Sequence, residues 1–300
     1  GEKVGIDGWV NSYQETCDLQ KALEKKQICL TLAPDPFQKL WTDRPEVPGD
    51  QVFIHELKYA GISCGDKIAQ IQEAVHRNGC TGILISALDE VAWTLNLRGS
   101  DVHCNPVFVS YLLITDNGST LYIIENKLSE EIKGYLAENG VEVKSYPAVE
   151  EDLKAFTGKL QVSTGVNAAI HAAACTNSVV EVAPSPALLL KAVKNKTEIE
   201  GFHHAMERDG VAMVKFLRWL KAAVPTGNET EISIDRKLYE FRAEQDSFKG
   251  ISFDTIAGYK DHGAIVHYEA TPETDVPLKA EGMLLLDSGA QYLDGTTDIT

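Results

Sequence analysis

Asp287 closes the apolar run "MLLLD", Asp294 follows seven residues after it, and Asp298 sits in "TTDIT". Two readings of these carboxylates stand side by side. In one, Asp294-Gly295 is a turn and the other aspartates are solvated strand ends. In the other, a carboxylate set directly after a buried strand needs a cation or a donor to offset its desolvation, and Asp287 and Asp298 hold metal. Hard carboxylate oxygens suit a divalent ion such as Mn²⁺, and two carboxylates near one point suit a bridged pair of ions. The two are eleven residues apart. A hairpin with an even-length loop therefore sets both side chains on one sheet face. A two-residue turn at Asp294-Gly295 puts Asp298 opposite Gln291 and leaves Asp287 roughly 13 Å further along the strand. Sharing a metal requires pairing centred nearer Tyr292-Leu293, or a bulge.

His267 is the next chemical candidate. It lies in "GAIVHYEA", whose alternation predicts a strand with Ile265 and His267 on one face and Val266 and Tyr268 on the other. Such a histidine serves as a structural hydrogen-bond donor or as a catalytic group. His203 and His204 are expected to face solvent or to pair with Glu207 and Asp209. His55, His76, His103, His171 and His262 have no partners at metal-ligand spacing in the sequence. G-x-S-x-G, H-E-x-x-H, P-loop and G-x-G-x-x-G patterns are absent, which removes the commoner hydrolase and nucleotide-binding readings.

The elements that must carry these residues fall into an alternating part and a helix-then-strand part. Up to residue 48 the text predicts strand, helix "ETCDLQKALEKKQ" and strand "ICLTL", followed by the linker "TDRPEVPGD". From Asp66, helices and strands alternate, and Asn117-Gly118 signals a hairpin. From "VAPSPALLL" onward the sequence predicts a long helix with Thr197 and Glu200 as a capping box and Ile199, Phe202, Met206, Val214, Leu217 and Leu220 at helical spacing. A second helix carries Ile234, Leu238 and Phe241, and "ISFDTIAGY", "GAIVHYEA" and "GMLLLDSGA" read as strands of an antiparallel sheet.

Composition narrows the partners. The 28 basic against 44 acidic residues leave a net charge of −16, which opposes nucleic acid. No apolar run reaches the roughly 20 residues of a bilayer span. Six cysteines without C-x-x-C spacing are expected to be buried reduced thiols, favouring the cytosol. The chain starts at Gly1 without an initiator Met and is expected to be a slice of a longer sequence.

Several strings together resemble one family. "DSGAQYLDGTTDIT", "SFDTIAGYKDHGAIVHYEATPET", "KAVKNKTEIEGFHHAMERDGVAMVKFLRWL", "ALDEVAWTLNLRGSDVHCNPVFVSYLLI" and "LWTDRPEVP" are similar to the cytosolic three-domain Xaa-Pro aminopeptidases. The resemblance implies α/β creatinase-like domains followed by an α+β pita-bread catalytic domain, of which only the first half is present. The expected division is 1–52 for the end of the first creatinase-like domain, 56–183 for the second and 185–300 for the catalytic half. It further implies that Asp287 and Asp298 ligate a pair of divalent metal ions, most often Mn²⁺, that Asp294 is not a ligand, and that His267 contacts substrate near the scissile carbonyl. One histidine and two glutamates completing the centre, and a second substrate-binding histidine, lie in the half not present. His262 stands where members commonly show Asn, and is expected to be a loop variation. Peptides with proline second are the expected substrates, hydrolysed in the cytosol by a homodimer. A prolidase-type dipeptidase, a metal-free creatinase-like amidinohydrolase and a metal-free pita-bread peptide-binding module are the alternatives.

Overall fold

Six short apolar segments, most of them bounded by turn residues, form the main sheet of the computed structural model, which describes all 300 residues, Gly1–Thr300. Their order is Ser178–Val182, Gly158–Val162, Gly82–Ile85, Ser110–Thr115, Gly118–Ile123 and Val141–Ser145. The two central antiparallel pairings flank Ser110–Thr115, and the outer ones are parallel. Successive side chains alternate between two cores. Ile83, Ile85, Leu112, Ile114 and Leu121 face one, with Ile68 and Ile71 of helix Cys64–Arg77. Leu84, Tyr111, Leu113, Tyr122 and Leu160 face the other, with Leu153 and Ile170. Both faces are covered, as a sheet containing parallel strands requires. The predicted hairpin is present, but its two turn residues are Asp116-Asn117, and Gly118, at φ 140°, already pairs with Thr115. At the N-terminus Lys3–Asp7 runs parallel to Cys29–Ala33 through helix Tyr13–Glu24, whose Ser12 and Glu15 form a capping box.

The chain divides into two units. The first holds Gly1–Ile54, Ile62–Asp101 and Pro106–Val193, and the second holds Lys194–Thr300 with His55–Gly61 and Val102–Asn105. In the second unit the helices Lys196–Ala223 and Glu231–Ala243 pack with two antiparallel strand pairs, Phe248–Ile251 with Ala290–Tyr292 and Ile256–Tyr259 with Leu284–Asp287. Phe216, Ile234, Leu238, Ala257, Tyr259 and Leu278 form its main core.

Three local features differ from the expected ones. The long helix is capped two residues earlier than expected, by Asn195 with Glu198, whose side chains exchange hydrogen bonds with each other's backbone amides at 3.0 and 2.9 Å. Its apolar stripe of Ile199, Phe202, Met206, Val214 and Leu217 is exposed, while Gly201, Ala205, Asp209, Ala212 and Phe216 are buried. Small residues won that face because a backbone must pass against it: a Cβ on Gly201 would lie 2.2 Å from the Asp294 carbonyl oxygen. All six cysteines are free, but only Cys64 and Cys80 are buried. Burial pushes the Cys64 thiol up to about 12, so it is inert. No helix is long and apolar enough to cross a membrane.

Candidate metal centre

The terminal hairpin sets the relation between the two aspartates. Ser288 and Ile299 exchange backbone hydrogen bonds of 3.0 and 2.9 Å, Gln291 bridges Thr296, and the Tyr292 amide donates to Gly295 at 2.8 Å. The turn residues are therefore Leu293-Asp294, one residue earlier than the expected Asp294-Gly295. The shift brings Asp298 opposite Gly289 instead of Gln291. Asp287 and Asp298 then share one face as diagonal neighbours, a relation in which Cα atoms are roughly 7–8 Å apart and side chains can converge. The opposite face carries Ser288, Ala290, Tyr292 and Thr297, all buried, whereas Asp287 is half-buried and Asp298 exposed. The Thr300 hydroxyl donates to Asp287 Oδ1 at 2.9 Å. This donor set, two carboxylates with a glycine between them, fits a hard divalent ion.

Gly289 is required where it stands. A Cβ there would lie 2.0 Å from the Thr297 carbonyl oxygen and 2.1 Å from Ser252 Oγ. Ser252 threads the gap, its amide donating to the Gly289 carbonyl at 3.1 Å and its hydroxyl to the Thr297 carbonyl at 2.8 Å. Gly289→Ala is expected to cost about 3 kcal/mol, read as a lowered denaturation midpoint. An unchanged midpoint would mean that the hairpin has room to spread.

Behind the hairpin sits a buried ion pair. Arg242, 1% exposed, donates through Nε and Nη2 to the two oxygens of Asp209, fully buried, at 2.7 and 3.1 Å. The same carboxylate accepts from Tyr292 Oη at 3.1 Å and Thr297 Oγ1 at 2.8 Å, and Arg242 Nη1 donates to the Gly289 carbonyl at 3.3 Å. Both strands flanking the aspartates are thus tied to both helices. Burial, with Asp209 alongside, pushes the Tyr292 phenol well above its ordinary range, so it stays a donor. Asp294 pairs with Arg208 of the long helix and has a structural role.

His267 departs from expectation. "GAIVHYEA" is not a strand: Lys260–Ala264 form a 3₁₀ turn, and His267 is exposed in the following turn at φ 53°. The cause is close packing at Gly258, where a Cβ would sit 2.8 Å from the Gly263 nitrogen, so the chain folds back over its own strand. This segment is anchored on Glu231, a fully buried carboxylate. Glu231 accepts from the Tyr259 amide at 2.7 Å, Tyr268 Oη at 2.9 Å and His262 Nδ1 at 3.0 Å. His262 is therefore an anchor of the His267 loop. Replacing Glu231 with Ala would orphan buried donors and is expected to cost about 3 kcal/mol, with the glutamine variant costing less. A loss under ~1 kcal/mol in urea unfolding would remove the anchor from the account.

Sequence reasoning missed Asp209, Arg242 and Glu231. The available signal was register: Asp209 shares the helical face of Ala205, Ala212 and Phe216, and Arg242 that of Leu238. A charge on a buried stripe implies a buried partner. His203 and His204 are exposed as expected, while Asp209 pairs with arginine and not with them.

Residues 43–198 match the Creatinase/Prolidase N-terminal domain. The chain belongs to that family. Residues 200–300 match metallopeptidase family M24, so creatinase-like α/β structure precedes part of a pita-bread catalytic domain. The chain is 34% identical to aminopeptidase P2 of Arabidopsis thaliana over all of its length and 47% of that protein. It is 35% identical to Xaa-Pro aminopeptidase 1 of Dictyostelium discoideum, with 99% of the chain and 50% of that protein covered. The chain spans about half the length of these curated relatives. Among solved structures, an X-prolyl aminopeptidase from Caenorhabditis elegans, described as a cytosolic enzyme with a di-nuclear active site, matches with a TM-score of 0.92 at 29% identity, over 99% of this chain and 50% of that one. The prolidase from Pyrococcus horikoshii matches at TM-score 0.58 and 19% identity, over 78% of this chain and 63% of that one, a likeness of fold alone.

Proposed function

We propose that this chain forms part of a metal-dependent aminopeptidase that hydrolyses the N-terminal Xaa-Pro bond of peptides, with Asp287 and Asp298 as two ligands of a dinuclear Mn²⁺ centre. The observation that carries this reading is the hairpin register, with Asp298 opposite Gly289 and diagonal to Asp287. Ions held there would lower the pKa of a bound water toward about 7 and polarise the scissile carbonyl. The chain's own contribution is positional. Thr300 donates to Asp287 and leaves the other carboxylate oxygen free to ligate, and the Asp209–Arg242 pair fixes the strand backbones from the far side. His267, on a turn secured through Tyr268 and His262, would donate to the substrate carbonyl oxygen as charge develops there. A bond to proline has no N–H and a fixed φ, so its amide nitrogen offers no donor by which the substrate could be oriented.

The prolidase reading is disfavoured because the prolidase likeness is confined to the general fold, whereas the Xaa-Pro aminopeptidase similarity runs the length of the chain. A metal-free binding module would need neither carboxylate. Free thiols and the acidic surface accord with work in the cytosol, and we carry the three-part division 1–52, 56–183 and 185–300 and a homodimer as parts of the same proposal. The test is release of the first residue from an Arg-Pro-Pro-type peptide by protein with the complete catalytic domain, with Mn²⁺ added or chelated. Metal-dependent release is expected; no release under either condition would reject the proposal.

A further inference from the structure

His103 and Cys104 are the two central residues of a tight turn in which the Asn105 amide donates to the Val102 carbonyl at 3.1 Å. Cys104 has φ 60°, a left-handed conformation that residues with a Cβ seldom adopt. The turn is held from the hairpin: the Gln291 side-chain amide donates to the Cys104 carbonyl at 3.0 Å, and its Oε1 accepts from the Thr296 hydroxyl at 2.6 Å. His103 Nε2 lies 2.8 Å from Asp254 Oδ1. One ring nitrogen of His103, the Cys104 sulfur and a carboxylate oxygen of Asp254 all lie within 4.8 Å of one another.

We infer that His103, Cys104 and Asp254 form a second cation site, selective for a borderline-soft divalent ion, Zn²⁺ foremost, and separate from the Asp287–Asp298 pair. Tetrahedral zinc bonds of about 2.0–2.3 Å set ligand atoms roughly 3.3–3.7 Å apart. The present separations therefore need adjustments of about an ångström, made by the exposed His103 and Asp254 side chains toward the half-buried thiol. Imidazole, thiolate and carboxylate together are a zinc donor set, whereas the two aspartates of the hairpin offer only hard oxygen. Three protein ligands leave the fourth position to water, the arrangement of an exchangeable site and not of a closed structural one. The Asp254 carboxylate raises the pKa of His103, and burial, with Asp254, raises that of Cys104. Zinc uptake displaces these protons, leaving the thiolate and carboxylate to neutralise the ion. Gln291 lies on the same hairpin face as Asp287 and Asp298 by register, so zinc there would stiffen the turn against the strand that carries the proposed catalytic metal.

Co²⁺ as a spectroscopic substitute tests the site directly. With the Asp287→Asn/Asp298→Asn double variant as background, Co²⁺ is expected to give a thiolate charge-transfer band that Zn²⁺ removes by competition. The band should vanish in Cys104→Ser, and Zn²⁺ affinity should fall at least about tenfold in His103→Ala and in Asp254→Asn. No charge-transfer band at saturating Co²⁺, or a band that survives Cys104→Ser, would overturn the assignment. Because the background lacks both hairpin carboxylates, neither outcome depends on the proposed peptidase centre.

Discussion

Replacing Asp209 with Ala is expected to destabilise the second unit by about 3–5 kcal/mol. The variant leaves the Arg242 guanidinium, 1% exposed, with no counter-charge, and an uncompensated buried cation costs far more than the lost attraction. The damage extends beyond the pair. Tyr292 Oη and Thr297 Oγ1 lose their common acceptor, and each buried hydroxyl left without a partner adds a desolvation cost of order 1 kcal/mol. Arg242→Lys should also destabilise, since a point charge cannot supply two parallel donors to the carboxylate and a third to the Gly289 carbonyl. The measurement is equilibrium urea unfolding followed through tryptophan fluorescence of the second unit, where Trp219 packs beside the core containing Phe216. A loss below ~1 kcal/mol for Asp209→Ala would mean that the pair is no more than an ornament of the fold.

Asp298→Ala is expected to do the opposite: to abolish metal uptake and turnover in protein with the complete catalytic domain while changing stability by no more than about 0.5 kcal/mol. Asp298 is exposed, and opposite it stands a glycine, so no packing is lost. Removing one of two diagonally placed carboxylates should even relieve repulsion in the metal-free state. Paired with Asp209→Ala, the variant separates ligation from support. Normal turnover by Asp298→Ala would show that the hairpin aspartates are solvated strand ends.

Much of this architecture could be read from residue order because it rests on local periodicity. The buried segments around Gly82–Ile85 and Ser110–Thr115, the helix ending at Arg77 and the two helices before Gly250 were all marked by apolar spacing and breakers. The hairpin aspartates were also legible, since the parity of an eleven-residue separation keeps them on one face whether the turn is Asp294-Gly295 or Leu293-Asp294. Which of those turns is used was not. It depends on Gly201 admitting the Asp294 carbonyl and on Arg208 binding the Asp294 side chain, contacts more than 80 residues away in sequence. The strand expected at His267 failed for a similar reason: alternation in "GAIVHY" was overridden by the fold-back onto Gly258 and by the buried Glu231 carboxylate. His103 had no histidine or cysteine at ligand spacing beyond its neighbour Cys104. Its third partner, Asp254, is brought to it only by tertiary structure.

The most direct measurement is an anomalous difference map, at the manganese edge, from crystals of protein with the complete catalytic domain soaked in Mn²⁺. Density is expected within roughly 2.0–2.4 Å of carboxylate oxygens from both Asp287 and Asp298. Density that touches neither aspartate, or carboxylates directed to opposite sides of the hairpin, would contradict that expectation.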